Sequence, residues 1–539
     1  MLPPDSRPSR PSLSFREYRF LYPWEGVQDD YDRIYKENII VVGPDGKEKS
    51  FNSRARPNSR AVVGGALGDE GKGRIVDNTI EGYLGNKKAK LVYVVRFNGA
   101  ANSGHTLEEP SQNGEKGRKA SVHQIPSIIF YKKEVIGIMD QGEAVNIEDL
   151  MVEDEYLRRM GVDISGRLFC SEKAIWDTDI SRAREVFEEI IAGKKLGGTH
   201  RGVGPDYSDF YARNSIHICD FLGRNWKERV GSKYDRFEKF FRAFGVELSE
   251  INVPDFRRIK LGRIGTAERP VGAKGEFLAR LEVARAWLLD QQMVIDTFRR
   301  HQEIFVDDEV GVIFEGAQAI GLHPWLGTRD DVTSSDPSAY GISSGTGFWL
   351  AENMEEITAV IKGPYTSSVG ARVMLTQIPL SKDIRGLSEL PTCATYEQKY
   401  ASYVREEAGE YGTSTGRPRD ICWPDLTFIG YNLRMAKADT LVVTHMDIAR
   451  EDFPIAVCTH YIDASGKKMI YQPWLRSQQN LRPVYICLPG WDGEACREAK
   501  SFKELPLRAK QYLAFLQART GVPVTAITTG ASRENFIQL

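Results

Sequence analysis

The sequence predicts an α/β fold around a mostly parallel central sheet. Three observations predict it. A short apolar strand, Ala61-Val62-Val63-Gly64-Gly65, runs into a glycine-rich loop, a helix from about Lys72 and a second apolar strand, Lys90-Leu-Val-Tyr-Val-Val-Arg96. Two further apolar runs, Val310-Gly-Val-Ile-Phe314 and Thr440-Leu-Val-Val-Thr444, read as buried strands and are each followed at once by polar residues. α/β folds place ligands at such carboxyl ends of strands. Finally, 539 residues that are 41% hydrophobic and 10% aromatic supply a sizeable core and exclude wholesale disorder.

Composition narrows the function classes. Lys+Arg total 72 and Asp+Glu 74, a formal charge of −2 that argues against a nucleic-acid coat protein or a polybasic membrane binder. It leaves room for a basic pocket for a phosphorylated small molecule. Seven cysteines with no C-x-x-C pair support neither a zinc ribbon nor a disulfide framework, and reduced thiols of a cytoplasmic protein are expected. No apolar run reaches the ~18–20 residues of a membrane span. The segment MLPPDSRPSRPSLSFREYRF has no apolar signal-peptide core, and four prolines before residue 12 oppose an amphipathic transit helix.

In chain order, residues 1–60 read as an N-terminal extension, disordered over its Pro/Ser/Arg-rich first dozen. Ile39-Ile40-Val41-Val42 followed by Gly-Pro-Asp-Gly predicts a strand and turn. Segment 276–299 predicts a core-facing helix, with Leu281, Ala284, Leu288 and Ile295 on one stripe. The sequence shows no internal repeat.

Five segments carry chemistry. Gly68-Asp69-Glu70-Gly71-Lys72-Gly73-Arg74 offers backbone N–H groups, a helix N-terminus and the Lys72 charge to a phosphate. It departs from a strict Walker A loop, because Ala66 stands at the leading glycine and Gly73 at the magnesium-binding hydroxyl. The alternative is a generic glycine-rich turn. An acidic pair inside a phosphate loop makes sense where one carboxylate binds metal or acts as a base, which singles out Asp69. In Asn102-Ser103-Gly104-His105-Thr106 the imidazole can donate to a developing oxyanion, or it is structural. Gly198-Thr199-His200-Arg201-Gly202-Val203-Gly204-Pro205, with Arg213 beyond, suits phosphate recognition or an ordinary loop. Thr413-Ser414-Thr415-Gly416-Arg417-Pro418-Arg419 places arginines at alternate positions to grip carboxylate or phosphate, or is a solvated basic loop. In Thr444-His445-Met446-Asp447 the aspartate can accept from the N1–H and 2-amino group of guanine, with His445 where an N-K-x-D box has lysine.

Taken in order with F-E-G-A-Q at 314–318, V-T-S-S at 332–335, Leu488-Pro-Gly-Trp491, Glu504-Leu-Pro506 and Thr528-Thr529-Gly530-Ala531-Ser532-Arg533, these motifs resemble the adenylosuccinate synthetase family from about residue 61 to the C-terminus. The resemblance implies one large P-loop-NTPase-like α/β domain over 61–539, with helical and loop insertions. It implies ligation of L-aspartate to IMP with GTP hydrolysis and Mg2+: the 6-oxygen is phosphorylated, and the aspartate amine then displaces phosphate. It further implies a homodimer in cytoplasmic AMP biosynthesis.

By motif position, Asp69 would take the N1 proton and ligate magnesium, with the Gly104 carbonyl as a second ligand. His105 would donate to the 6-oxygen or the moving phosphoryl group. Lys72 and Gln318 complete the implied catalytic set. Asn102, Thr199, Gln318, Thr333, Val369 and Arg417 would hold IMP, and Arg213 would reach the IMP of the neighbouring subunit. Thr413, Ser414, Thr415, Arg417 and Arg419 would bind aspartate. Gly68, Asp69, Glu70, Gly71, Lys72, Gly73, Arg74, Thr106, Arg419, His445, Asp447, Thr528, Thr529 and Gly530 would bind GTP. Lys72, Arg201, Arg213, Arg417 and Arg419 would form the anion pocket. The chain departs from the family pattern at His445, at Thr366-Ser367-Ser368-Val369-Gly370, where an arginine is lost, and at Asp420 and Leu67. The alternative is a sister ligase acting on dGMP or using ATP; a non-catalytic nucleotide sensor is the reading from another class.

Overall fold

A computed structural model describes residues 38–42, 48–52, 56–109, 117–193, 198–260, 263–328, 331–368, 373–412, 416, 418–473 and 480–539. The disorder expected in the first dozen residues, and the aromatic-rich segment up to residue 37, lie outside these. The expected strand is Asn38–Val42, paired antiparallel with Glu48–Asn52, and the expected turn lies outside the described residues.

Ten strands make the central sheet: β1 (Arg56–Gly64), β2 (Leu91–Arg96), β3 (Val135–Met139), β4 (Leu168–Ser171), β5 (Val294–Ile295), β6 (Val310–Glu315), β7 (Met354–Lys362), β8 (Thr440–Thr444), β9 (Val524–Thr528) and β10 (Phe536–Gln538). Their order is β5-β4-β3-β2-β6-β1-β7-β8-β9-β10. Every pairing is parallel except the last, β9 with β10.

Parallel sheets are covered on both faces, so their strands are apolar throughout. The pleat divides each strand between two cores. Val63, Val95, Phe314, Ile361 and Val443 enter one core, while Val62, Val94, Ile313, Val360 and Val442 enter the other. Since β1, β6, β7, β8 and β9 run the same way, Gly64, Glu315, Lys362, Thr444 and Thr528 end along one edge of the sheet. The chemistry-bearing loops leave from there.

Two boundaries differ from the sequence reading. β1 starts at Arg56, upstream of the apolar run at Ala61. Arg56 is 2% exposed, yet Nη2 donates to the Ile304 and Val310 carbonyls at 2.9 and 2.8 Å, so a charged residue begins a buried strand. The helix expected over 276–299 is Lys274–Gln291. Gln292, at φ 51°, turns the chain left-handed and ends it. Ile295 lies in edge strand β5, and Asp296 caps a new helix, Thr297–Phe305. Ile295 keeps the helical spacing of the stripe by coincidence, whereas Leu281, Ala284 and Leu288 are buried as expected.

All seven cysteines are free thiols. No helix among the described residues is long and apolar enough to cross a membrane.

Candidate active site

β1 delivers the chain into the loop Gly65–Gly71, and helix α1 (Lys72–Gly85) follows. Gly68 and Gly71 take φ of 91° and 88°, which glycine adopts without strain, and Asp69 takes 59°. Glu70 is turned inward: its carboxylate accepts from Ala66 N at 3.2 Å, Gly68 N at 2.6 Å and Lys72 Nζ at 3.0 Å. The Glu70 side chain therefore folds the loop rather than facing a nucleotide. Asp69 points out, its side chain 46% exposed.

Arg74 also differs from its expected role. Its guanidinium donates to the carbonyls of Ala531, at 2.7 Å, and Ser532. Burial lowers its pKa to about 10. Arg533 grips Asp77 at 2.6 and 2.7 Å and Glu81 at 2.8 Å. Together they pin the 528–533 turn to α1.

His105 stands beside the start of α1; a Cβ on Gly73 would meet its ring at 3.1 Å. Arg96 Nη1 lies 3.4 Å from His105 Nδ1. A guanidinium only donates, so Nδ1 accepts and the ring proton is assigned to Nε2. Nε2 is buried with no partner among the described residues. Burial, and secondarily Arg96, holds His105 below the usual histidine pKa, against the opposing pull of Glu315. Glu315 accepts from Ser127 N at 2.9 Å and Ser127 Oγ at 2.8 Å.

Gln318, at φ 58°, donates to Asn102 Oδ1 at 3.2 Å and accepts from Ser335 Oγ at 3.2 Å. Thr333 Oγ1 is 3.3 Å from Ser335 Oγ. Three segments far apart in sequence thus meet as one amide-and-hydroxyl surface. Arg419 bridges two carboxylates: Nη1 pairs with Asp69 Oδ2 and reaches Glu410 Oε2 at 2.8 Å.

At the end of β8, His445 N donates to Thr528 Oγ1 at 3.3 Å and Met446 N to the Thr528 carbonyl at 3.0 Å, placing the two expected guanine segments side by side. Asp447 is 9% exposed and pairs with Arg497 at 3.2 Å. Thr529 is fully buried and Gly530, at φ 158°, packs on Asn535.

Arg201 turns away from the site, and other expected residues lie on the surface. Arg201 is 1% exposed, sits 3.8 Å over the Phe256 ring and lies 3.5 Å from Asp149, so it belongs to the interior and not to an anion pocket. Thr199 and Arg213 are exposed, and exposed Thr106 contacts Ser121 Oγ at 2.7 Å. Val369, Thr413, Ser414, Thr415 and Arg417 lie outside the described residues.

The family model described as adenylosuccinate synthetase matches residues 61–537. The chain belongs to the adenylosuccinate synthetase family. An adenylosuccinate synthetase of Caldicellulosiruptor saccharolyticus is 30% identical over 483 residues, covering 89% of this chain and 98% of that protein. One of Lactobacillus johnsonii is 31% identical with the same coverage. The solved structure of a fully ligated adenylosuccinate synthetase from Plasmodium falciparum superposes with a TM-score of 0.72 at 26% identity, over 89% of this chain and all of that one.

Five residues of the site were given no role by the sequence reading, although Glu315 and Ser335 lie inside quoted motifs: Arg96, Glu315, Ser335, Lys362 and Glu410. Arg96, Glu315 and Lys362 were visible as charged residues closing apolar strands at their ligand-bearing ends. Ser335 took no role from its motif because its acceptor is Gln318, and Glu410 lies in no motif and meets Lys362 only through the fold.

The histidine at position 445 has a measurable consequence. Burial, then Lys362, lowers the His445 pKa to about 4. The unfolded histidine titrates near 6.5, so between about pH 6.5 and 4 the unfolded chain binds a proton that the folded one refuses. Stability therefore falls as pH falls through that window, by about 2 kcal/mol from pH 7 to pH 5. His445→Asn, which tolerates positive φ, should remove that share of the slope in urea unfolding at the two pH values. Equal slopes would contradict it.

Proposed function

We propose that this chain joins L-aspartate to IMP with GTP hydrolysis to give adenylosuccinate, acting as one α/β domain over residues 61–539. The observation that carries this reading is the convergence of Asp69, the free Nε2 of His105 and the Asn102–Gln318 amide pair at one sheet edge. Asn102, Thr199, Gln318, Thr333, Val369 and Arg417 hold IMP. Residues 413–419 hold L-aspartate. Lys72, the 68–74 backbone, Asp447 and the 528–530 turn hold GTP.

Mg2+ fits the donors present. Among the described residues no cluster of three or more His, Cys, Asp or Glu forms a metal cage. Asp69 is a single, half-exposed carboxylate, and the Gly104 carbonyl is a hard oxygen. Mg2+ characteristically binds one or two carboxylates and takes its remaining ligands from phosphates and water. When bound through Asp69 and the Gly104 carbonyl, it offsets charge on the transferring phosphate.

The chain's residues then share the work. Asp69 accepts the N1 proton, and those electrons pass to the 6-oxygen. His105 Nε2–H donates to that oxygen as its charge develops. The oxygen attacks the γ-phosphorus and GDP leaves. The amine of L-aspartate then adds at C6, loses a proton and expels phosphate. Lys72 stays on the phosphates as a point charge. Exposed Arg213, beside Tyr211 at 77% and Phe210 at 44% exposure, supports a homodimer in which Arg213 reaches the neighbouring IMP. Cytoplasmic placement accords with free cysteines.

The test supplies IMP, L-aspartate and Mg2+ with GTP or ATP and follows the purine absorbance. Product with GTP is expected. Product from dGMP and none from IMP overturns the assignment.

A further inference from the structure

A buried ion cluster stands behind Asp69, at the ends of β7 and of the helix Tyr396–Glu407. Glu410, 1% exposed, is its centre. Oε1 accepts from Lys362 Nζ and, at 2.6 Å, from the Tyr365 hydroxyl. Oε2 accepts from Arg419 Nη1 at 2.8 Å. Lys362, 4% exposed, closes β7 and donates also to Ser367 Oγ at 2.8 Å. These charge-assisted bonds, with burial opposing them, hold the Glu410 carboxyl below the usual carboxylate range.

The same two residues also pair through the backbone. Arg419 N donates to the Glu410 carbonyl at 2.9 Å, and Tyr411 bridges Pro418. The Glu410–Arg419 pair is thus anchored to the central sheet through Lys362. Two cations and two carboxylates, Lys362, Arg419, Glu410 and Asp69, balance.

We propose that Glu410, held by Lys362 and Tyr365, is a positioning residue: it fixes Arg419 and aims its guanidinium at the mouth of the site. The inference rests on the reading in which Arg419 grips the carboxylate of L-aspartate. When Arg419 leaves Asp69 for an incoming carboxylate, Glu410 holds the guanidinium at the mouth of the site. Arg419 then changes partner without changing place, and Asp69 is freed beside it. Glu410 touches no substrate and acts through Arg419.

The experiment pairs kinetics with backbone amide exchange in the full-length protein. In Glu410→Gln, KM for L-aspartate should rise about tenfold or more, while KM for IMP moves less than about twofold. Without substrates, exchange at Arg419 N should quicken about tenfold relative to the β7 amides. Glu410→Gln strands two buried cations, so two gentler variants accompany it. Lys362→Met/Glu410→Gln removes one charge of each sign, and Tyr365→Phe removes one hydrogen bond; both should shift the same quantities in the same direction. A common rise in both KM values, or unchanged exchange at Arg419, overturns the inference. Should the wild-type protein not consume L-aspartate at all, the functional reading fails, and the exchange at Arg419 alone decides the inference.

Discussion

Replacing Asp69 by asparagine is expected to lower kcat by about 10²–10⁴-fold, the range for loss of a positioned general base. The substitution isolates the chemistry. Asp69 sits at φ 59°, where asparagine is among the residues best tolerated, so no backbone strain is added. Its side chain is 46% exposed, and its ion pair with Arg419 is one of two that Arg419 makes. The buried Arg419 guanidinium keeps Glu410 at 2.8 Å, so it is not left unpaired and the melting temperature should fall little. An amide accepts no proton from N1 and is a poorer ligand for a hard cation. Both losses act on the step that makes the 6-oxygen nucleophilic. Near-normal turnover in Asp69→Asn would remove Asp69 from the base role, whatever happened to KM.

The parts of this site legible in the sequence were those carried by local backbone chemistry. Gly68, Gly71 and Lys72 announce a phosphate loop because left-handed turns and helix N-termini are written in neighbouring residues. The order of motifs then brought Gln318 to Asn102 across 216 positions, a contact the structure contains. Where function depends on which way a long side chain turns, the sequence was silent. Arg74 and Arg201 look like phosphate ligands on paper. One holds the Ala531 and Ser532 carbonyls and the other lies over Phe256, because burial offered each a better partner. Glu70 reads as part of the GTP-binding loop, but the N–H groups of Ala66 and Gly68 need an acceptor inside the loop. Fold followed the same rule. Apolar strands were plain, while β1 began at Arg56 and β5 hid behind a helical stripe, since neither depends on local apolar spacing alone.

His105→Ala is expected to lower kcat by about 10²–10³-fold, the cost of deleting one donor to a developing oxyanion. The size of the loss depends on which nitrogen carries the proton. Arg96 donates into Nδ1 at 3.4 Å, which leaves the hydrogen on the buried Nε2. A neutral imidazole donates there without first being protonated, and the lowered pKa of His105 keeps it neutral at pH 7. The wild-type kcat profile should accordingly show no acid limb near 6.5, where an ordinary histidine titrates. Glu315 separates this from the charged alternative. Its Oε1 lies 3.8 Å from Nδ1 and favours the imidazolium, so Glu315→Gln should lower the histidine pKa further. If the neutral ring is the donor, kcat at pH 7 survives in Glu315→Gln and any acid limb moves to lower pH. If the imidazolium is the donor, kcat at pH 7 falls with that substitution nearly as far as in His105→Ala. In Glu315→Gln the amide oxygen still accepts from Ser127 N and the amide nitrogen can donate to Ser127 Oγ, so both contacts of that side chain are kept and folding does not confound the comparison.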